Sequence, residues 1–311
     1  MAHRPGPSAP HTLLILNPHS GRGAGRRLRT RIERAMHAAG VRFELVETTG
    51  PGHALGLARD AAHAHVERII CAGGDGTLHE AANGLLQGPR ADDGATRTAL
   101  GTIPIGTGND FAKMLGVFKL PPETAAMRMA HAETRRFDVG RVIGEHYVNS
   151  LGIGFDAEVV RQSNKITRLS GLAVYLVAVY KTFILFRAPV LEVLSEAHNE
   201  TSPMMMLECS IGVSAGGGFY LTPQADPSDG LLDVCLIRKV GLLKFLRYVP
   251  RVLNGTHVTL DEVSMFRTAR LTIRSTSQPL LLHLDGELRE PESSEIEVTL
   301  EPRRLRALVG R

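Results

Sequence analysis

Three glycine-rich turns carry most of the chemistry this sequence can offer. In IICAGGDGTLHEAANGLL an apolar run ends on Gly73, Gly74 and Gly76, which surround Asp75, and a helical pattern starts near Thr77. Glycine lets the backbone turn tightly and approach a ligand with no Cβ in the way. The N–H groups at a helix start attract an anion. An aspartate in such a cradle repels phosphate unless Mg²⁺, which phosphates also bind, lies beside it. The plain alternative is a tight strand-to-helix turn with an Asp or Thr cap, and one such turn alone favours that alternative. Two more turns shift the balance. TIPIGTGNDFAKMLG puts Thr107, Asn109 and Asp110 at a helix start, and NPHSGRGAG follows the first apolar run. Neither GxxxxGK[ST] nor a full GxGxxG occurs, which weakens the P-loop and standard dinucleotide readings.

Those turns need a scaffold, and the apolar spacing supplies it. Strands are expected at 12–18, 43–47, 67–74 and 99–105. Helices are expected between them, the first with Leu28, Ile32, Ala35, Met36 and Ala39 on one face, then 53–65 and one through 80–86. Such alternation means a parallel sheet with helices on both faces, whose ligands bind at the carboxyl edge. After about residue 133 the pattern changes. Two period-2 runs meet at Gly144-Glu145 as a hairpin, and strand-like runs follow at 189–195, 204–214, 231–239, 257–263, 269–275, 279–285 and 295–301. Only two helical stretches, 165–186 and 241–253, interrupt them. The expected fold is therefore an α/β domain at 12–133 and an antiparallel β domain at 134–301. Residues 1–11 form a floppy arm, and 302–311 are free to pack back on the first domain.

Composition narrows the function. The 311 residues carry 36 Lys+Arg against 32 Asp+Glu, a net charge of +4, too mild to imply nucleic acid. Cys71, Cys209 and Cys235 sit in apolar runs without CxxC spacing, which suits buried thiols in a reducing compartment and argues against zinc or a disulfide framework. The apolar stretch 169–186 is broken by Lys181, and the N-terminus has no signal-peptide core, so a cytoplasmic protein is expected. Segments 161–187 and 235–260 are basic, apolar and free of acids. They read either as ordinary helices with solvated basic faces or as a surface that settles on anionic lipid at the inner face of the membrane.

GGDGT, PIGTGNDFA, the leading NPHSGRG and a late DGE at 285–287 together resemble the diacylglycerol kinase catalytic family, which includes bacterial lipid kinases, sphingosine kinases and ceramide kinases. The resemblance spans about 12–310. It implies an α/β nucleotide-binding domain followed by a β-sandwich, with the active site in the cleft between. It implies ATP contacts at Asn17, Thr48 (with Thr49 competing), Gly73, Gly74, Asp75, Gly76, Thr77, Leu78, His79 and Thr107. Asp75, Asp110 and Asp138 match an acidic network around a catalytic Mg²⁺. Asp285 matches the proposed general base, with Asp75 as rival. Asp226, Asp229 and the Leu231 carbonyl match a structural Mg²⁺ loop. Without the family, HLDGELRE reads as a plain Asp-Gly hairpin and PSDGLLD as a turn.

The implied activity is Mg²⁺-dependent transfer of the ATP γ-phosphoryl group to the hydroxyl of diacylglycerol or a related lipid at a membrane surface. An NAD kinase-type enzyme shares GGDGT, but GTGNDFA and the late DGE argue against it. A non-catalytic lipid-binding protein on the same fold would not need Asp75, Asp110 and Asp285. The lipid and the oligomeric state stay open, a homodimer included.

Overall fold

The computed structural model describes residues 12–163, 179, 182, 183 and 185–310. The arm at 1–11 and most of the helix expected at 165–186, with Lys165, Arg168 and Lys181, lie outside the described residues. The chain divides into two compact units, one running to Phe137 and taking in the chain from Arg303 on, the other Asp138–Pro302.

The first unit is built on parallel strands β1 (Thr12–Leu16), β2 (Phe43–Glu47), β3 (Arg68–Gly73) and β4 (Ala99–Pro104) in the order β4-β3-β1-β2. Five consecutive apolar or small residues, TLLIL, make β1 buried on both faces, as a central parallel strand must be. Leu14, Ile15, Leu16, Ile69, Ile70, Leu100 and Ile103 are fully enclosed. The helices are α1 (Ser20–Ala38), α2 (His53–His63), α3 (Asp75–Gln87), α4 (Phe111–Met114) and α5 (Pro122–Ala130), with α2 packed on α3 and α1 on α5. Helix α5 was not part of the sequence expectation, although Pro122 in its first turn is a recognised start signal.

The second unit is a pair of antiparallel sheets, whose first and last strands also include residues 133–137 and 303–309 of the first unit. The hairpin of β5 (Glu133–Val142) and β6 (Glu145–Tyr147) turns at Gly144. Next come β7 (Ser150–Gly154), α6 (Phe155–Ser163), β8 (Val190–Leu194), β9 (Asn199–Ser210), β10 (Leu232–Arg238), α7 (Leu242–Leu253), β11 (Val263–Thr268), β12 (Arg270–Ser275), β13 (Leu282–Leu284), β14 (Glu287–Arg289) and β15 (Glu295–Val309). The long β9 joins the sheets: its first half pairs with β8, its second with β7 and β10. One sheet continues β8-β12-β15, the other β14-β13-β7 and β10-β11. Their inner faces meet in a core of Tyr147, Leu151, Leu191, Val193, Leu207, Leu236, Ile273 and Val298.

One expected strand is corrected. HVTLDEV (257–263) is not a strand: His257–Thr259 form a 3₁₀ turn with His257 buried against the Leu221 carbonyl at 3.1 Å, and the strand begins only at Val263. The buried imidazole spends its hydrogen bond on a carbonyl distant in sequence, so alternation in this segment does not report a sheet face. All three cysteines are buried free thiols, and burial pushes Cys71 and Cys209 up to about 12.

Helix α3 touches α2 without space for a side chain at Gly84, where a Cβ would stand 2.2 Å from the Leu55 carbonyl oxygen. Gly84→Ala is therefore expected to lower stability by about 1–3 kcal/mol, the usual cost of overpacking. A denaturant midpoint equal to that of the wild type would contradict this account of the contact.

Candidate active site

The carboxyl edge of the parallel sheet is organised by the first turns of α3. Gly74 donates its N–H to Ser20 Oγ (3.1 Å), and Thr77 Oγ1 accepts from Asn17 Nδ2 (2.9 Å). Asp75 accepts from two successive backbone N–H groups, Asn109 (2.6 Å) and Asp110 (3.1 Å). Glu80, one turn further on, accepts from Gly52 (2.7 Å) and Ala54 (3.1 Å) at the start of α2. The turns after β1, β2 and β4 are thus all tied to the helix that follows β3.

The glycines make this closeness possible. A Cβ on Gly106 would lie 2.6 Å from the Gly74 Cα, one on Gly73 2.8 Å from Thr77 Oγ1, and one on Gly21 2.4 Å from the Ile105 carbonyl oxygen. Gly21, Arg22 and Gly23 all have left-handed backbone, so the HSGRG turn coils before α1 runs straight. Asn17 orders that turn by accepting the His19 N–H on Oδ1 (3.0 Å). Gly74, at the N-cap of α3, has no side chain with which to cap the helix. The helix's first-turn N–H groups and positive dipole end are suited to an anion.

The nucleotide-contact residues expected from the sequence fall into three groups. Asn17, Gly73, Gly74, Asp75, Gly76 and Thr77 meet at this edge, and Thr107 is exposed on the turn that Asp75 holds. Thr48 is buried at the end of β2, its N–H on the Leu16 carbonyl (2.8 Å), while Thr49 bonds His53 Nδ1. Leu78 and His79 point into the protein, at 3 % and 4 % exposure, and His79 sits against Asn83. Glu80 was missed. Its signal was a lone acid five residues after Asp75 on a largely buried helix.

Asp75 and Asp110 border the same space: a Cβ on Gly108 would lie 2.7 Å from Asp75 Oδ2 and 3.5 Å from Asp110 Oδ2. Two carboxylates beside an open helix start are hard oxygen donors, and they fit Mg²⁺ shared with phosphate. Lys113 Nζ donates to Asp110 Oδ1 at 2.7 Å, so part of that negative charge is already balanced. Asp138 belongs to the second unit, where it is 1 % exposed. Its Oδ2 accepts the Gly230 N–H (2.8 Å), and its own N–H reaches the Pro227 carbonyl (2.7 Å).

Asp138 therefore orders the 226–231 loop. In that loop Asp226 Oδ1 accepts from Ser228 and Asp229 Oδ1 from the Leu231 N–H (3.0 Å). Arg267 spans it, with Nε 3.1 Å from Asp233 Oδ1, Nη1 3.6 Å from Asp229 Oδ2 and Nη2 on the Gln224 carbonyl at 3.0 Å. The oxygens suit Mg²⁺ in kind, but an ion bound through Asp229 would compete with the guanidinium. Burial raises Asp233 above the ordinary carboxylate range, opposed by Arg267.

Asp285 occupies the tip of the β13–β14 hairpin, with φ of +52° followed by Gly286 at +91°, the left-handed pair of a two-residue hairpin turn. Its carboxylate accepts three backbone N–H bonds, on Oδ1 from Asn149 (2.8 Å) and Ser150 (3.1 Å) and on Oδ2 from Val148 (3.1 Å). Asp285 thus pins the turn to the start of β7. Glu287, two residues on, is exposed.

Residues 11–142 match the family described as the diacylglycerol kinase catalytic domain, and 149–309 match the YegS C-terminal NAD kinase beta sandwich-like domain. The chain is 33% identical to the "Probable lipid kinase YegS-like" of Chromohalobacter salexigens over 89% of this chain and 86% of that one. It is 29% identical to the diacylglycerol kinase of Bacillus subtilis, with 88% of each covered. A diacylglycerol kinase structure from Bacillus anthracis shares the fold at TM-score 0.72 and 22% identity, covering 96% of each chain. An NAD kinase from Archaeoglobus fulgidus, solved with ATP, does so at 0.52 and 14%, covering 96% and 93%. The chain belongs to the diacylglycerol kinase catalytic-domain family of lipid kinases.

Proposed function

We propose that this lipid kinase transfers the γ-phosphoryl group of ATP, with Mg²⁺, to the hydroxyl of diacylglycerol or a related lipid, working from the cytoplasm at the inner face of the membrane. The observation that carries the nucleotide part is the first turn of α3, which starts on a glycine and is joined to three neighbouring turns. Its backbone amides, with Asn17, Thr48 and Thr107, hold and orient the phosphates. Asp75 and Asp110 would hold Mg²⁺, which when bound neutralises charge developing on the phosphates. Asp138 and the 226–231 loop stabilise the second unit, and a structural Mg²⁺ at Asp226, Asp229 and Leu231 would share that place with Arg267. A soluble dinucleotide acceptor is the competing reading. Incubation with labelled ATP, Mg²⁺, and either total lipid extract or NAD is expected to put label in the organic phase. Label on NAD alone would overturn the lipid assignment.

Asp75 has two tasks in this account, bridging two backbone N–H groups and holding the metal. Asp75→Ala is expected to abolish transfer and also to cost about 1–3 kcal/mol, because it strands buried donors. Turnover near that of the wild type would rule out the metal role.

The proton of the lipid hydroxyl goes to Asp285, a carboxylate that the three N–H donors fix in one orientation. Those same bonds favour a second reading, in which Asp285 shapes the turn and the exposed Glu287 accepts the proton. Asp285→Asn is expected to lower stability in either case, because an amide cannot accept on both sides, so kinetics must be compared across two variants. Loss of a general base costs ~10²–10⁴-fold in kcat. With Asp285 as base that loss appears in Asp285→Asn and not in Glu287→Gln, each at an unchanged KM for ATP. The reverse pattern transfers the role to Glu287.

Helix α7 supports work at a membrane. Phe245, Tyr248 and Val252 face the second core cluster, while Leu243 and Leu246 stand out at 85 % and 56 % exposure beside Lys239, Lys244 and Arg247. Lys244 is partly engaged by Glu262. No helix among the described residues is long and apolar enough to cross a membrane. Burying a leucine is worth roughly 1.5–3 kcal/mol. The double variant Leu243→Ala/Leu246→Ala is therefore expected to weaken pelleting with anionic vesicles by tenfold or more, and Lys244→Glu/Arg247→Glu to weaken it most at low salt. Equal pelleting of all three proteins would leave α7 an ordinary helix.

A further inference from the structure

The β domain buries a set of titratable side chains that the proposed chemistry does not use. Asp156 on α6, Glu208 on β9 and His283 on β13 bring their polar atoms within 4.8 Å of one another. Glu208 is fully enclosed and His283 is 4 % exposed. The backbone makes space for them: a Cβ on Gly152 would lie 1.8 Å from Asp156 Oδ2 and 2.4 Å from His283 Nε2.

The hydrogen bonds have a direction. The Gly286 backbone N–H can only donate, and it meets His283 Nδ1 at 3.3 Å. Nδ1 is therefore bare and the proton sits on Nε2, which donates to Asp156 Oδ2 at 2.9 Å. Asp156 Oδ1 accepts the Ala157 N–H (2.8 Å), and the Glu208 carboxyl lies beside Asp156. Burial pushes the Asp156 carboxyl up, but His283 and these bonds outweigh it and hold the group below the usual carboxylate range. A metal ion on Nε2 would need that nitrogen bare while Nδ1 already faces an N–H donor, so the Gly286 bond argues against a metal at this cluster. Gly286 is the second residue of the turn between Asp285 and Glu287.

We propose that Glu208, Asp156 and His283 form a positioning chain for that turn, in which His283 Nδ1 holds the Gly286 amide and Asp156 fixes the imidazole in the tautomer able to do so. The pinning is two-sided: Asp285 ties the tip to β7, and His283 ties the next amide to the sheet interior. Its consequence for turnover rests on the reading of this turn as the proton acceptor; the hydrogen bonding does not.

The test uses the whole chain. In ¹⁵N-labelled wild type, imidazole nitrogen shifts are expected to show His283 protonated on Nε2, with a slowly exchanging Gly286 amide. His283→Asn keeps an oxygen near the place of Nδ1, whereas His283→Gln reaches towards Asp156 and offers Gly286 nothing. The Gln variant is expected to lose Gly286 protection. Its kcat should fall about tenfold or more below that of the Asn variant at the same KM for ATP, within the ~100-fold that misplacing a group can cost. Three results would overturn the proposal: His283 protonated on Nδ1, a metal ion bound at the cluster, or Asn and Gln variants that fall together in melting temperature and turnover. If the wild type phosphorylates no lipid, the kinase reading fails, and the tautomer and exchange data still decide this one. If neither variant folds, the wild-type spectra decide it.

Discussion

The carboxyl edge of the parallel sheet in the first unit depends on one set of hydrogen bonds, those made by Gly74, Asp75, Thr77 and Glu80 at the start of α3. Together they reach the turns that follow β1, β2 and β4. The arrangement is demanding, because loops at the end of a parallel sheet have no ladder to hold them. Here the bonds fall on neighbouring turns of one helix, itself clamped to α2 through Gly84. A carboxylate accepting two backbone N–H bonds, as Asp75 and Glu80 each do, is a strong, charge-assisted anchor. The same construction starts the helix on Gly74, which has no side chain of its own to cap it. The proposed phosphate site and the order of these loops therefore share one physical origin.

The second unit repeats the device with different residues. Asp285 gathers three N–H groups at the end of a hairpin, and Asp138 gathers the Gly230 N–H at the 226–231 loop. In both units, aspartates that look catalytic by type are also the ties that give their loops a shape. Substitution at any of them changes stability and chemistry together, so kinetic loss by itself is weak evidence of a catalytic role.

Much of this was legible in the residues. The TLLIL, RIICAG and ALGTIP runs mark buried parallel strands, and the glycines after each turn mark where backbones approach. The DGE turn was legible as a hairpin from Asp-Gly between alternating runs. What could not be read were the long-range partners. Nothing local says that Glu80 reaches Gly52, that Asp138 serves the 226–231 loop, or that Arg267 spans it. The three residues around His283 are separated by 52 and 75 positions, since they lie at 156, 208 and 283, and they meet only because β7, β9 and β13 are neighbours. His257 misled the pattern for the same reason, being a buried polar group whose partner, the Leu221 carbonyl, is distant in sequence.

The central claim is that the start of α3 and the turns tied to it hold the phosphates of ATP. Hydrogen–deuterium exchange with and without MgATP tests it most directly. The account predicts that ATP slows exchange together in segments 17–23, 73–78 and 106–110, and that Asp75→Ala removes the effect in all three. Unchanged exchange in 73–78 at saturating ATP, or protection confined to a segment outside these turns, would contradict it.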